Sequence, residues 1–274
     1  MKLTPGLVHD TSHWRLSLMF EQAAIEAVLY STVEDNSMIH TRIALDTSST
    51  GYQAAVEEAV YDNPLLVDGR FDSVTCLTAT GRYAVVPTAA TADRAESLAQ
   101  SIFGQPATPS DYLTDDIGDP RQCILHAQDT KLTAFLLRTF TNPTIEHRLS
   151  PLIRYFRLQS RMGNSGKMYV HFTGRQADII VYGRDTVRFV NTFTCREPAD
   201  ALYYIMSVRK LCRLSSENDE LVLAGDAAMR KAVTPLLRRY VASVLPAIFP
   251  SALYRAGREA MNAPFNIVIL PLSR

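Results

Sequence analysis

Residues 168–193 read MYVHFTGRQADIIVYGRDTVRFVNTF, and they contain three short runs rich in β-branched and aromatic side chains. Gly174-Arg175 and Gly183-Arg184-Asp185 separate the runs and have the composition of tight hairpin turns. The stretch therefore predicts three consecutive antiparallel strands, at residues 168–172, 177–182 and 186–193.

An alternation of helical and extended patterns follows these strands. Residues 198–214 have the apolar period of a helix, residues 220–224 are predicted as a buried strand, and residues 227–241 as a second helix. A last apolar run at 265–270 is predicted as a strand. The second half of the chain thus has the predicted order βββαβαβ.

The first half of the chain repeats this order as βββαβαβα, if the strands at 72–79 and 83–86, joined by a turn at Gly81-Arg82, are counted together. Strands are predicted at 14–20, 24–33, 38–45, 72–79, 83–86 and 122–127, and helices at 50–61, 91–103 and 130–139. Residues 105–120, which contain three prolines, are predicted as a loop. Because the order starts again, we predict two domains, residues 1–140 and residues 141–274, the second including a connector helix at 151–161.

Three hairpin-linked strands followed by alternating helices and strands resemble a ribonuclease H-like unit. Two such units in one chain resemble the actin-like ATPase superfamily. Three segments are also similar to an uncharacterised family of Bacteroidetes proteins with this fold: WRLSLMF at 14–20, RLSPLIRYF at 148–156 and the hairpin block at 168–193. The resemblance implies an α/β fold of two ribonuclease H-like lobes, with a nucleotide cleft between them.

The resemblance also implies where a nucleotide would bind. In active members, the first hairpin of each lobe carries a pattern close to Asp-x-Gly, and a glycine pair in the second lobe lies under adenosine. In this chain Ser17 stands for the first Asp, and His171 and Thr173 stand for the second Asp and Gly. Only Gly174 and Gly225 remain, so the resemblance implies a degenerate cleft with no catalytic residue. No bound cofactor is expected, and ATP in this cleft is the alternative.

Two other patterns do not qualify as sites. Residues 163–167, GNSGK, resemble the end of a P-loop, but Arg161 and Met168 replace required residues and a strand follows instead of a helix. We interpret this segment as a hinge. His9 and His13 are four residues apart, but no third metal ligand is evident, so no metal site is predicted.

The zero net charge of the chain is the sum of two opposite halves. Residues 1–130 carry seven Lys and Arg against 18 Asp and Glu, a net −11, and residues 131–274 carry 21 against 10, a net +11. The stretch 148–175 contains no acid, which suggests an anion or partner surface, although attraction between the halves or dispersal of the charges is the preferred interpretation. Its basic residues are Arg148, Arg154, Arg157, Arg161, Lys167 and Arg175.

No uninterrupted apolar run is long enough to predict a membrane span or a secretory signal, and the four cysteines are widely spaced. These features predict a cytoplasmic protein with reduced thiols. The first functional hypothesis is a non-catalytic actin-like-fold module that binds another protein. A divergent nucleotide-binding ATPase or kinase is the first alternative. Nucleic-acid binding through the basic second lobe is the second alternative, and the zero net charge of the chain argues against it.

Overall fold

Two five-stranded mixed sheets form the framework of the protein. The structure is a computed structural model, and it describes residues 2–8, 10–162, 165–183 and 186–273. Within these residues the strands are, in chain order, β1 (Trp14–Phe20), β2 (Ala24–Ser31), β3 (Ile39–Ala44), β4 (Ser73–Thr78), β5 (Tyr83–Pro87), β6 (Tyr112–Asp119), β7 (Gln122–Ala127), β8 (Thr144–His147), β9 (Lys167–Thr173), β10 (Gln176–Tyr182), β11 (Val187–Thr194), β12 (Glu220–Gly225) and β13 (Val244–Pro246). The helices are α1 (Thr47–Tyr61), α2 (Pro64–Asp68), α3 (Thr88–Phe103), α4 (Thr130–Thr139), α5 (Ser150–Ser160), α6 (Pro198–Leu211), α7 (Ala227–Leu237) and α8 (Phe265–Val268).

The two sheets have the same topology. The first sheet has the order β3-β2-β1-β4-β8, and the second has the order β11-β10-β9-β12-β13. In each sheet the first three strands in sequence pair antiparallel, and the next two run parallel to the central strand. We call each sheet with its helices a lobe. The predicted α/β fold of two ribonuclease H-like lobes is therefore confirmed.

Alternate side chains of the central strands point to opposite faces of each sheet, and both faces of β9 are buried. In β1, Leu16, Leu18 and Phe20 face a core that α1 and α4 complete. In β9, the matching residues Met168 and Val170 face a second core beneath α6 and α7. The opposite faces of β1 and β9 look toward the space between the lobes, so polar groups placed there can form a site.

The last strand of the first sheet, β8, lies after the predicted domain division. β8 begins after residue 140 and pairs in parallel with β4, so the hydrogen bonding of the first sheet continues to His147. The division at residues 140 and 141 stays a prediction. The connector helix predicted at 151–161 is present as α5, and it enters directly from β8.

A third, three-stranded antiparallel sheet with the order β5-β7-β6 is inserted into the first lobe and packs against α3. The sequence predicts residues 105–120 as a loop, and this prediction is wrong over β6. The inward-facing positions of β6 include Asp115 and Asp119, which are buried beside Ile117. Because two of these positions are acidic, the apolar alternation of a strand is hidden in the sequence.

The C-terminal segment also departs from the sequence prediction. Residues 265–270, predicted as a strand, form α8 and the start of a short 3-10 helix. Pro264 and Pro271 flank the run, and a short apolar run does not by itself distinguish a strand from a buried helix. In addition, α7 ends at Leu237 rather than at residue 241, and β13 follows it as an unpredicted edge strand.

Residues 263–272, which we call the C-terminal clasp, pack against both lobes. Ile267 and Leu270 lie in an apolar cluster with Met19 and Leu77 of the first lobe. Ile269 lies in a different cluster, which α5 shares with the inner face of the second sheet and with the inserted sheet. The clasp therefore closes one side of the space between the lobes.

Two sequence expectations concern the chain as a whole. The four cysteines are buried free thiols, as predicted. Across the described ranges, no helix combines the length and the apolar character needed to cross a bilayer.

Candidate functional site

A cleft of about 1130 Å³ lies between the lobes, at the place where the resemblance implies a nucleotide. The β1–β2 hairpin supplies one wall, and the β9–β10 hairpin and the end of β12 supply the other. The clasp contributes Pro264 and Phe265 to the floor. The cleft is large enough for a nucleotide, so its side chains decide what it can hold.

The structure brings most of the sequence-predicted nucleotide residues together. His171, Thr173, Gly174 and Gly225 all line the cleft. Ser17 does not line it, because it lies further back on β1, between Val28 of β2 and Thr75 of β4.

The hairpin registers show which residue of the first lobe matches His171. Glu21 closes the first hairpin by donating its N–H to the carbonyl of Ala24, and Thr173 is paired with Gln176 at the same point of the second hairpin. Counting back two residues from each, Met19 matches His171. The Asp position of the first hairpin is therefore occupied by a thioether, and neither Met19 nor His171 is an oxygen ligand for magnesium.

The two predicted glycines have different roles. Gly225 has φ +80°, and a Cβ there would lie 2.1 Å from the carbonyl oxygen of Phe172. The close approach of β12 to β9 therefore requires a glycine at this position, whatever the cleft binds. Gly174 has φ +53°, but a Cβ there would meet open space. Gly174 is thus a turn glycine at the cleft edge.

A buried ion pair lies beneath the second hairpin. The guanidinium of Arg148 donates two hydrogen bonds of 2.6 Å to the two carboxylate oxygens of Asp178, which is fully buried. His171 Nδ1 lies 3.1 Å from the same carboxylate. Burial alone would raise the pKa of Asp178, but the charge of Arg148 and the hydrogen bonds from His171 and Arg148 hold it well below its usual range. Asp178 is therefore an ionised anchor for two residues that line the cleft.

The first lobe has a matching carboxylate. Glu26 stands two residues after Ala24, as Asp178 stands two residues after Gln176, and Glu26 is buried. His40 Nε2 lies 2.8 Å from it, and Arg42 forms an ion pair with it. The hydrogen bond with His40 and the charge of Arg42 outweigh burial and lower the pKa of Glu26. Each lobe thus holds one carboxylate between a histidine and an arginine. Sequence reasoning missed both, although both acids follow a predicted hairpin.

The helix that starts at the cleft is already capped by an acid. Asp226 follows Gly225 and accepts a 2.7 Å hydrogen bond from the backbone N–H of Met229, in the first turn of α7. A helix N-terminus attracts anions when its N–H groups are available. Here a carboxylate takes that place, which disfavours a phosphate.

Four of the six basic residues that suggested an anion or partner surface are buried or partly buried, so together they do not form that surface. Arg154 pairs with Glu146 at 2.6 Å and Lys167 with Glu220 at 3.4 Å. Arg157 is buried with a nitrogen 4.0 Å from Asp119, and Arg148 is held by Asp178. These residues therefore neutralise acids of the same chain. Arg161 and Arg175 are exposed, and of these two only Arg175 lines the cleft.

The predictions made from the sequence for five residues fall outside the described ranges, namely those for His9, Gly163, Asn164, Arg184 and Asp185. Among the residues that are described, no group of three or more His, Cys, Asp or Glu is arranged to hold a metal ion.

A second polar cluster is buried where the inserted sheet meets α5. The carboxylate of Asp115 lies 3.1 Å from His126 Nε2 and accepts hydrogen bonds from the Ser150 hydroxyl and the His147 backbone N–H. The ring of His147 donates a hydrogen bond to the carbonyl of Thr80 at 3.0 Å. The pKa of His147 is lowered to about 3, mainly because the ring is buried and also because His126 lies beside it. The serine contacts the carboxylate rather than a histidine, so the cluster lacks the geometry that activates a serine nucleophile.

Comparisons with known proteins agree with this fold. A model of the family described as "Protein of unknown function (DUF3822)" matches residues 8–244. A protein from Bacteroides thetaiotaomicron VPI-5482, described as having an actin-like ATPase fold and unknown function, is similar with a TM-score of 0.72 and 21% identity over 92% of this chain and 95% of that chain. A "PilM-PilN type IV pilus biogenesis complex" is similar with a TM-score of 0.59 and 13% identity over 94% of this chain and 97% of that chain. No curated protein matches the sequence. The predicted actin-like ATPase fold is confirmed.

Proposed function

This chain belongs to the DUF3822 family, and from that premise we propose that it is a non-catalytic module of actin-like fold that acts by binding another protein. The proposal has two parts, which different observations support. The first is that the cleft does not hydrolyse a nucleotide. The second is that the two-lobed framework serves as a binding platform.

One observation carries the first part. At the phosphate end of the cleft, the Asp positions of the two hairpins are occupied by the fully buried Met19 and by His171, and the nearby carboxylates are already paired with Arg and His of the same chain. Asp226 occupies the helix N-terminus beside them. A phosphate would have to displace these contacts and would meet Glu21 on the opposite wall.

The second part rests on the fold and on an analogy. Both five-stranded sheets are complete and an apolar cluster packs between them, although the Asp-x-Gly groups are missing. The structurally similar PilM is described in a complex with PilN, which is an example of this fold joined to a protein partner. We extend that mode of action, a protein partner, to this chain as a hypothesis. We also propose a cytoplasmic location, because buried free thiols are typical of a reducing compartment.

Thermal unfolding with and without Mg-ATP tests the first part. A nucleotide bound at a hundredfold excess over Kd would stabilise the native state by about 2.7 kcal/mol. For a chain of this size that corresponds to roughly 5 °C in Tm. We expect a shift below about 1 °C at 5 mM Mg-ATP, a concentration that is roughly a hundredfold excess for a 50 µM site. ATP turnover that is lost in the His171→Ala variant would contradict the proposal.

Affinity purification of the full chain from its own cells tests the second part. We expect one protein to be retained in near-equimolar amount, and to be retained equally with and without ATP. A matched column carrying the thermally unfolded chain identifies proteins that bind exposed apolar surface rather than the fold. If the native chain retains no partner in stoichiometric amount, the binding hypothesis is wrong.

Divergent nucleotide binding is the second candidate function. The volume of the cleft and the open space at Gly174 favour it, since a ligand can approach the second hairpin without a clash. It predicts the opposite outcome of the thermal experiment. Nucleic-acid binding through residues 148–175 has weaker support, because four of its six cations are engaged by acids of the same chain or by buried contacts.

A further inference from the structure

The outer face of α7 carries a line of basic residues. Arg230, Lys231 and Arg238 lie along one stripe of the helix and its C-terminal cap, and together with Thr234 and Pro235 they line a shallow groove of about 620 Å³. No acidic residue lines this groove. Arg230 also lines the interlobe cleft, where Arg175 of the β9–β10 hairpin lies on the same wall. We call these four residues the basic track.

The cations of the basic track have no acidic partner among the described residues, and unlike other exposed cations of the second half, three of them line one groove. Within the described ranges, none of its four side chains forms an ion pair, and Arg230 makes a single 3.0 Å hydrogen bond to the carbonyl of Gly225. By contrast, Arg148, Arg154 and Lys167 are each paired with a carboxylate. Part of the net +11 charge of residues 131–274 therefore lies on the surface of α7.

The charges of the whole molecule argue for a small acidic occupant. Three of the four residues are arginines, whose planar fork matches carboxylates and phosphates. A nucleic acid or an anionic membrane would extend beyond the groove and meet the first half of the chain, which has a net charge of −11. A short acidic segment of a protein can follow the groove without leaving the second lobe.

We propose that the basic track, Arg175, Arg230, Lys231 and Arg238, is the docking surface for an acidic segment of a protein partner. The segment lies along α7 from Arg238 to Arg230. Arg175 is its farthest contact, at the mouth of the interlobe cleft that Asp226 and Glu21 also line. This inference deepens the proposed function and rests on it for the partner, but the track is testable separately. Complementary charge gives such a surface its specificity and speeds encounter, and added salt weakens it.

A charge-reversal variant of α7 has a close control in α4. Lys231 and Arg238 are exposed and seven residues apart, and Lys131 and Arg138 have the same identities, spacing and exposure on α4. The test compares K231E/R238E with K131E/R138E in the full chain. The probe is a fluorescein-labelled peptide of twelve alternating Glu and Asp residues, followed by anisotropy at low and at raised salt. Single-stranded RNA of twenty nucleotides and phosphatidylserine vesicles are the competing probes.

We expect K231E/R238E to weaken peptide binding by at least about tenfold, which is 1.4 kcal/mol, and K131E/R138E to change it less than twofold. Tighter binding of the RNA or the vesicles than of the peptide overturns the choice of occupant. If the two variants change the affinity for the peptide equally, the basic track is wrong. It is also wrong if the wild-type chain associates with itself and only K231E/R238E abolishes that association. If both variants capture the native partner equally, the track is wrong and the proposed function stands. If no partner exists but the peptide effect is found, the proposed function fails, and the track stands only as a site for acidic peptides.

Discussion

At the scale of single residues, the main feature of the cleft is that charge is neutralised by side chains distant in sequence. Arg148 and Asp178 are 30 residues apart, and Glu26 meets Arg42 across a strand pair. The hairpins and their turn at Gly174 could be predicted from local composition. The ion pairs could not, because register and burial decide which acid meets which base.

The Arg148–Asp178 pair gives the first prediction. Asp178→Asn leaves a buried guanidinium without a counter-charge, so we expect the free energy of unfolding to fall by about 3–5 kcal/mol. Asp72→Asn is the control, because its 3.2 Å pair with Arg15 is largely exposed and is expected to contribute below about 1 kcal/mol. Urea denaturation at neutral pH measures both. Similar losses in the two variants would show that the buried pair has no special role.

The titration of His147 gives a second prediction. Its pKa is lowered to about 3 in the folded protein, whereas an unfolded histidine titrates near 6.5. Between these values the unfolded chain binds the extra proton, so His147 makes stability rise with pH by about 1.4 kcal/mol per unit and fall on acidification. We expect His147→Gln to be less stable at pH 7 but to have a shallower pH dependence between pH 6 and 4. Urea midpoints across that range give the slope, and an unchanged slope would contradict this account.

At the scale of elements, the repeated order of strands and helices could be predicted, but the positions of β6 and of the edge strand β13 could not. The three-strand pattern at 168–193 was recognisable because apolar side chains fill its inward positions. β6 was missed because Asp115 and Asp119 occupy inward positions where hydrogen bonds from histidine, serine and arginine stabilise them. A strand with satisfied buried acids has no periodic apolar signal.

The connector α5 gives a prediction at this scale. Phe156 is 1% exposed, and its ring stacks on Tyr169 of β9 with 4.2 Å between ring centroids. Truncation to alanine leaves a cavity where α5 meets the second sheet, so we expect Phe156→Ala to cost about 3–5 kcal/mol of stability. Leu158→Ala on the same helix is the control, since Leu158 is exposed and its loss should change stability by under about 1 kcal/mol. Calorimetry or urea denaturation would distinguish the two, and equal stabilities would refute the packing role.

At the scale of the whole molecule, part of the opposite charge of the two halves is engaged in contacts inside the fold. Arg154 donates to the backbone carbonyl of Asp116, and Arg157 approaches Asp119, so basic residues of the second half contact the inserted sheet of the first. The sequence could reveal the imbalance but not this destination, since β6, which carries Asp116 and Asp119, was predicted as a loop. In the basic track, Arg175, Lys231 and Arg238 are exposed, and Arg230 is partly buried.

The C-terminal clasp gives a prediction for the molecule as a whole. Ile267 packs on the first lobe and Ile269 on the cluster around α5, and both are almost fully buried. We expect Ile267→Ala and Ile269→Ala each to destabilise the protein by about 2–5 kcal/mol. Hydrogen exchange should report different regions: β1 and β4 for the first variant, and α5 for the second. An identical exchange pattern in both variants would show that the clasp does not connect two separate surfaces.

The clasp has a consequence for the order in which the protein is made. Ile267 is synthesised almost two hundred residues after Leu77, which it covers, so ~10–40 s pass at a ribosomal rate of 5–20 residues per second. During that interval the first sheet can pair its strands, but its Met19 face has no covering segment. The nascent chain thus carries an apolar surface that chaperones can hold until translation reaches the clasp.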